Sequence, residues 1–184
     1  MLLNVLLDLD ETLISSVRNV IPGTTPGYTF QDKSWTVYTR HRLQEFLTAL
    51  FARYNVSIFT ASGSSYCAEI IENIILKDHP ERKIDYIFHA YHCEQSKTKY
   101  NVDKKIKMLW EDYNIPYMNT SNTFLIDDRL DLYEDQPENV INILPFSADG
   151  SRGGQEGLTD IDGELERVLG VLDAIQMKYF FNAV

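Results

Sequence analysis

The stretch Leu2-Leu3-Asn4-Val5-Leu6-Leu7-Asp8-Leu9-Asp10-Glu11-Thr12-Leu13 constrains this chain more than any other. An apolar run stops at two carboxylates one residue apart, with a hydroxyl two residues further on. A short run this apolar, closed by charge, reads as a strand buried on both faces. Alternate residues of an extended chain share a face, so Asp8 and Asp10 are expected to face one point at the strand's carboxyl end. Open α/β sheets bind ligands there. Two anions so close repel, and a divalent cation is the simplest reason to keep both.

Segments of strand and helix character alternate after this run. Residues 2–7, 56–60, 86–89, 123–126 and 140–144 have strand character. Leu43, Phe46, Leu47, Leu50 and Phe51 have helical spacing, as do Ala68, Ile71, Ile74 and Ile75, and then Ile106, Leu109, Trp110 and Tyr113. A last helix is expected from about Asp162, with Leu165, Val168, Leu169, Leu172 and Ile175 inward. The pattern predicts an α/β fold, a Rossmann-like parallel sheet with flanking helices. Residues 1–184 are expected to form one domain without a large cap. Two Pro-Gly turn signals and the aromatic alternation of Tyr28, Phe30, Trp35 and Val37 predict a small β-hairpin insertion over about 19–39. Residues 147–157, rich in Gly and Ser, read as a loop.

The sequence is acidic, with a formal net charge of -10, which disfavours nucleic-acid backbone as a partner. Lys97, Lys99, Lys104, Lys105 and Lys107 crowd one stretch, opposed by Asp103, and form a candidate patch for an anionic substrate. Cys67 and Cys93 lack metal-type spacing and read as reduced thiols. His41, His79, His89 and His92 show no zinc arrangement. No run is long enough for a membrane span, and a strand beginning at Leu2 leaves no room for a targeting segment. The expectation is an intracellular, soluble protein of unspecified oligomeric state.

The Asp8-Leu9-Asp10-Glu11-Thr12-Leu13 run resembles motif I of the haloacid dehalogenase superfamily. It is most similar to the Fcp/Scp-type branch that dephosphorylates the carboxy-terminal domain (CTD) of RNA polymerase II. Many other branches have Gly where this chain has Glu11. The resemblance implies that Asp8 is the nucleophile, Asp10 the general acid and a metal ligand through its carbonyl, and Thr12 a positioning residue. Thr60-Ala61-Ser62, followed by Tyr66, is similar to motif II and implies phosphate binding by Thr60 and Ala61. Residues 102–109 resemble the motif III stretch. Aligning Ile106 and Leu109 with its leucines puts the catalytic and phosphate-binding lysine at Lys104, with Lys105 a serious rival and Lys97 and Lys99 weaker ones. Asp127-Asp128 resembles motif IV, which with Asp8 and Asp10 implies a Mg²⁺ site. Arg129-Leu130 stands where that branch has Ser-Pro. Residues 39–47 resemble the branch's segment before a helix, without its Pro, and leave Arg40 either near substrate or in a surface ion pair.

The expected function is a Mg²⁺-dependent phosphatase acting through an aspartyl-phosphate on phosphoserine or phosphothreonine in a protein. An uncapped site favours a bulky or extended substrate, a phosphoprotein or phosphopeptide. The alternatives are a polynucleotide 3′-phosphatase and, from another class, an inactive binding module on the same fold.

Overall fold

The computed structural model describes residues 2–150, 155–156 and 163–181. Its centre is a five-stranded parallel sheet of β1 (Asn4–Leu7), β5 (Asn55–Phe59), β6 (Ile84–Phe88), β7 (Thr123–Asp127) and β8 (Val140–Asn142), in the order β6-β5-β1-β7-β8. The sequence run that opens the chain thus becomes the middle strand. Its residues are fully buried because helices cover both sheet faces. The strand order reverses between β1 and β7, and that reversal opens a crevice at the carboxyl ends.

Helices follow the strands as crossovers: α1 (Leu43–Phe51), α2 (Ser64–Ile70), α3 (Ala90–Tyr100), α4 (Met108–Glu111), α5 (Leu130–Asp135) and α6 (Glu164–Phe181). Leu43, Phe46, Leu47 and Leu50 of α1 are buried, as are Leu165, Val168 and Leu172 of α6. Asp173 of α6 accepts from Arg53 Nη1 at 2.5 Å and Tyr54 OH at 2.9 Å, tying α6 to the end of α1. Asp162 lies outside the described residues.

Several expectations are corrected. The small antiparallel insertion is present, and its hairpin of β3 (Tyr28–Thr29) and β4 (Thr36–Thr39) is joined by a further strand, β2 (Ile14–Val17), which starts before the expected bounds, in the order β2-β4-β3. Its first strand begins directly after the Asp8–Asp10 turn, which couples insertion and site. α2 continues as a π-helical turn over Ile71–Ile75, which rotates Ala68 out to solvent while Ile71, Ile74 and Ile75 stay buried. α4 is a single turn that leaves Tyr113 exposed. Helices α3 and α5 carry weak apolar stripes and escape periodicity. Within residues 147–157, Gln155–Glu156 forms β10, paired in parallel with β9 (Phe146–Ser147); residues 151–154 and 157 lie outside the described residues. Both cysteines are buried and free. Among the described residues no helix is long and apolar enough to cross a membrane.

Candidate active site

Strands β1, β5 and β7 end at the same level, since Leu7 pairs with Ile58 on one side and Ile126 on the other. Asp8 and Thr60, the residues after β1 and β5, and Asp127, the last residue of β7, are therefore gathered at one edge of the sheet. All three are buried.

The chain turns sharply after Asp8. Leu9 O accepts from the N–H groups of Leu13 at 2.8 Å and Ile14 at 3.1 Å, and Glu11 N–H donates to Ile14 O at 2.7 Å. Closing this turn puts Glu11 at φ 65°, a left-handed conformation that favours Gly and costs a residue with a Cβ on the order of 1 kcal/mol. Thr12 is fully buried. Its hydroxyl donates to Asp128 Oδ1 at 3.3 Å, linking the turn to the end of β7.

Lys104 settles between the carboxylates. Its Nζ donates to Asp8 Oδ1 at 2.6 Å and to Asp127 Oδ2 at 2.7 Å. Lys105 instead pairs with Asp135 at the surface, at 2.7 Å. The loop carrying Lys104 is held from both sides. Ser96 Oγ donates to Val102 O at 2.6 Å and accepts from Lys105 N–H at 2.8 Å. Gln136 donates to Lys104 O at 3.0 Å and accepts from Ile106 N–H at 2.8 Å. Arg129 N–H donates to Asp127 Oδ1 at 3.0 Å, and its guanidinium reaches Asp103 at 2.7 Å and Asp131 at 2.6 Å. Arg129 therefore joins the Asp127 loop to the Lys104 loop.

Asp10 receives the Tyr66 hydroxyl, which also meets Ser16 Oγ of β2. Thr60 Oγ1 sits 2.9 Å from Ser62 Oγ and accepts from Ser62 N–H at 3.2 Å. The N-cap of α2 is Gly63, so Thr60 stands at the strand end, and Ala61 beside it is exposed.

Burial pushes the Asp8 and Asp10 carboxyls above their ordinary range; Lys104 opposes the rise at Asp8 and Tyr66 opposes it at Asp10. Burial lifts Asp127 to about 6, with the charge of Asp8 adding to it, and lifts Asp128 to about 6, with Asp127 adding. Burial works against the Lys104 ammonium, but Asp8 and Asp127 outweigh it and hold Lys104 above its ordinary value, protonated. The carboxylate oxygens of Asp8, Asp127 and Asp128 lie within 4.8 Å of one another. Hard oxygen donors this close, each costly to ionise alone, fit a small divalent cation. Both Asp127 oxygens are already bonded, to Lys104 and to Arg129 N–H, so Asp8 and Asp128 are the better placed ligands.

Beside Asp10 lies a cleft of about 760 Å³, walled by β2 of the insertion, the start of α2 and the loop after β8, and including Ser16, Arg18, Trp35 and Tyr66.

Two sequence expectations end elsewhere. Arg40 is 1 % exposed, donates to Thr12 O at 2.9 Å and Leu144 O at 2.7 Å, and is thus buried in the fold and not among the residues that line that cleft. The lysine run is no open patch: Lys97, Lys99, Lys105 and Lys107 pair with Asp103, Asp112, Asp135 and Glu111. Of the insertion's aromatic residues, Phe30 and Tyr38 are core, and Trp35 lines the cleft. Sequence reasoning also missed what Tyr66, Ser96 and Gln136 do; Tyr66 was visible as a phenol in the first turn after motif II, while Ser96 and Gln136 carried no signal.

Residues 3–181 match the model of the NLI interacting factor-like phosphatases. The chain is 33 % identical to the CTD phosphatase-like protein 355R of Invertebrate iridescent virus 6, over 92 % of this chain and 97 % of that one. It is 26 % identical to the CTD nuclear envelope phosphatase 1 homolog of Drosophila melanogaster, over 92 % of this chain and 66 % of that one. The fold is similar to that of the fission yeast RNA polymerase II CTD phosphatase Fcp1 bound to beryllium fluoride, with a TM-score of 0.57, 18 % identity and 96 % of this chain covered. This chain spans about half of that one, 51 %. The family match runs through every element that carries the acids, the lysine and the cleft, and the chain belongs to the NLI interacting factor-like phosphatase family.

Proposed function

We propose that this chain is a Mg²⁺-dependent phosphomonoester hydrolase that works through phosphorylated Asp8, and that its substrates are phosphoserine or phosphothreonine residues of a protein. The observation that carries this reading is Lys104, buried and protonated between Asp8 and Asp127. A fixed cation beside a nucleophilic carboxylate offsets the charge that builds on a transferring phosphoryl group.

Asp8 Oδ1 is bonded to Lys104, which leaves the second oxygen outside that bond. A carboxylate oxygen of Asp8 attacks phosphorus, the bond from phosphorus to the serine or threonine oxygen breaks, and Asp10 gives its proton to the departing alkoxide. Burial favours the protonated form of Asp10 that this step needs, and the Tyr66 hydroxyl fixes the carboxyl group. Asp10, now ionised, takes a proton from water as that water attacks the phosphorus. Inorganic phosphate leaves and Asp8 is regenerated. Thr60 and the chain at Ala61 supply donors for phosphoryl oxygens. Asp8, the Asp10 carbonyl and Asp128 would hold Mg²⁺, with Asp127 steadying the site from behind through Lys104. When bound, the ion offsets the negative charge of the carboxylates and the phosphoryl group.

The open cleft beside Asp10 accommodates an extended chain better than a small metabolite. The relatives described as CTD phosphatases support a protein substrate. The test is kcat/KM on phosphoserine peptides, 3′-phosphorylated oligonucleotides and sugar phosphates, with Mg²⁺ and with chelator. The peptides should lead, and only with Mg²⁺. A preference for the oligonucleotide or sugar phosphate contradicts the substrate assignment.

A further inference from the structure

We infer that Arg18, stacked on Trp35 in the wall of the cleft, selects phosphopeptides that carry a second anionic group about two residues from the reacting phosphoserine. The inference rests on the phosphatase reading above and adds to it a substrate preference.

Arg18 Cζ lies 4.6 Å from the centre of the Trp35 ring, and the side chain is exposed. The other charged residues of the cleft, Asp10, Glu11 and Asp149, are acids, so among the described residues Arg18 is the one cation that lines it. No carboxylate of those residues pairs with it, whereas Lys97, Lys99, Lys105 and Lys107 are all engaged by acids elsewhere. Stacking occupies the face of a guanidinium and leaves its in-plane N–H groups to meet a carboxylate or phosphate in bidentate fashion. It also restrains a long side chain in advance, so less freedom is lost on binding.

The distance from the reaction is bounded by the reach of the chain. Ser16 meets the Tyr66 hydroxyl that holds Asp10. Arg18 is two residues on, just past the end of β2, where Val17 pairs with Thr36, so it stands at most roughly 7 Å further along. That is the span of about two residues of an extended peptide. Acidic walls alone would repel an acidic substrate, and Arg18 supplies the local attraction that admits a correctly placed anion.

The test compares phosphoserine peptides that differ only two residues to either side of the phosphate, bearing Gln, Glu or a non-hydrolysable phosphonate analogue of phosphoserine. Each variant is also assayed on a generic aryl phosphate. The unmodified protein should favour a Glu or phosphonate peptide over the Gln peptide about tenfold in kcat/KM, mostly through KM and less at high salt, the size of a partly exposed charge-assisted bond. Arg18→Gln should bring that ratio close to one, Arg18→Lys should keep part of it, and Arg18→Glu should turn it toward a Lys-bearing peptide. A preference for both anions marks general acidity as the signal, and a preference for the phosphonate alone marks a second phosphate. Equal kcat/KM on all peptides by the unmodified protein, or a preference that survives Arg18→Gln, overturns the inference. Absence of turnover on the aryl phosphate and every peptide overturns the phosphatase reading itself, a result distinct from turnover without preference.

Discussion

Lys104 Nζ and Asp8 Oδ1 meet at 2.6 Å although 96 residues separate them in the chain. The ammonium is 1 % exposed and also bonds Asp127. One cation thus holds together the ends of the two strands between which the sheet order reverses.

Removing that cation leaves buried carboxylates facing each other. Lys104→Met is expected to lose about 3 kcal/mol of stability at pH 7.5 without metal, and to lose turnover even under conditions where it folds. Lys105→Met, which breaks only the surface pair with Asp135, should stay within about 1 kcal/mol of the unmodified protein and retain activity. Urea unfolding and aryl phosphate hydrolysis read both.

Tyr66→Phe removes the hydroxyl that donates to Asp10. That bond holds the Asp10 carboxyl down against the effect of burial, so its loss raises the carboxyl further. The general acid must be protonated to act, and activity falls as pH rises through its pKa. The alkaline limb of the kcat profile should therefore move to higher pH in Tyr66→Phe, with kcat reduced about tenfold because the acid is less well aimed. An unmoved limb contradicts the assignment of Asp10.

The acid cluster makes stability depend on pH and metal together. Asp127 and Asp128 have folded values of about 6 against an ordinary 3.8. A raised carboxyl binds more protons folded than unfolded between those values, so its contribution is favourable below the unfolded value and is lost as pH rises through about 6. Mg²⁺ takes the ionised form. The rise in Tm caused by Mg²⁺ should accordingly be larger at pH 7.5 than at pH 5, and thermal scans at both pH values with and without Mg²⁺ read it. Equal shifts count against a carboxylate metal site here.

Arg40→Met leaves the carbonyls of Thr12 and Leu144 without their guanidinium donor. The Thr12 carbonyl is buried, and a stranded buried acceptor costs about 1–3 kcal/mol, so the midpoint of urea unfolding should fall markedly. KM for an aryl phosphate at permissive temperature should change little. A large rise in KM without loss of stability would return Arg40 to the substrate.

The residues that a sequence can announce are those whose neighbours along the chain share their task. Asp8 and Asp127 each close an apolar run, so strand burial and carboxylate placement were both legible, and with them the parallel sheet. Lys104 could be narrowed only by alignment with a similar stretch, because Lys104 and Lys105 are chemically equal until Ser96 and Gln136 fix the loop between them. The antiparallel insertion was visible from its turns, but not its first strand, whose Ile14-Ser15-Ser16-Val17 run has little β pattern and gains its partner from Thr36–Thr39. Arg40 and Arg18 show the same limit from opposite sides. An arginine's role depends on what lies across from it: two carbonyls bury Arg40, while an indole ring holds Arg18 in the open.

The central claim is covalent chemistry at Asp8, and trapping the phosphorylated carboxylate tests it most directly. The protein is mixed with a phosphopeptide and Mg²⁺, quenched in acid during turnover, reduced with borohydride and digested. Reduction of an aspartyl-phosphate yields homoserine, so the account predicts that Asp8, and no other aspartate, is converted, only when substrate and Mg²⁺ are both present, and that Asp8→Asn neither hydrolyses the peptide nor shows the conversion. Sustained turnover with Asp8 unconverted, together with hydrolysis by Asp8→Asn, contradicts it.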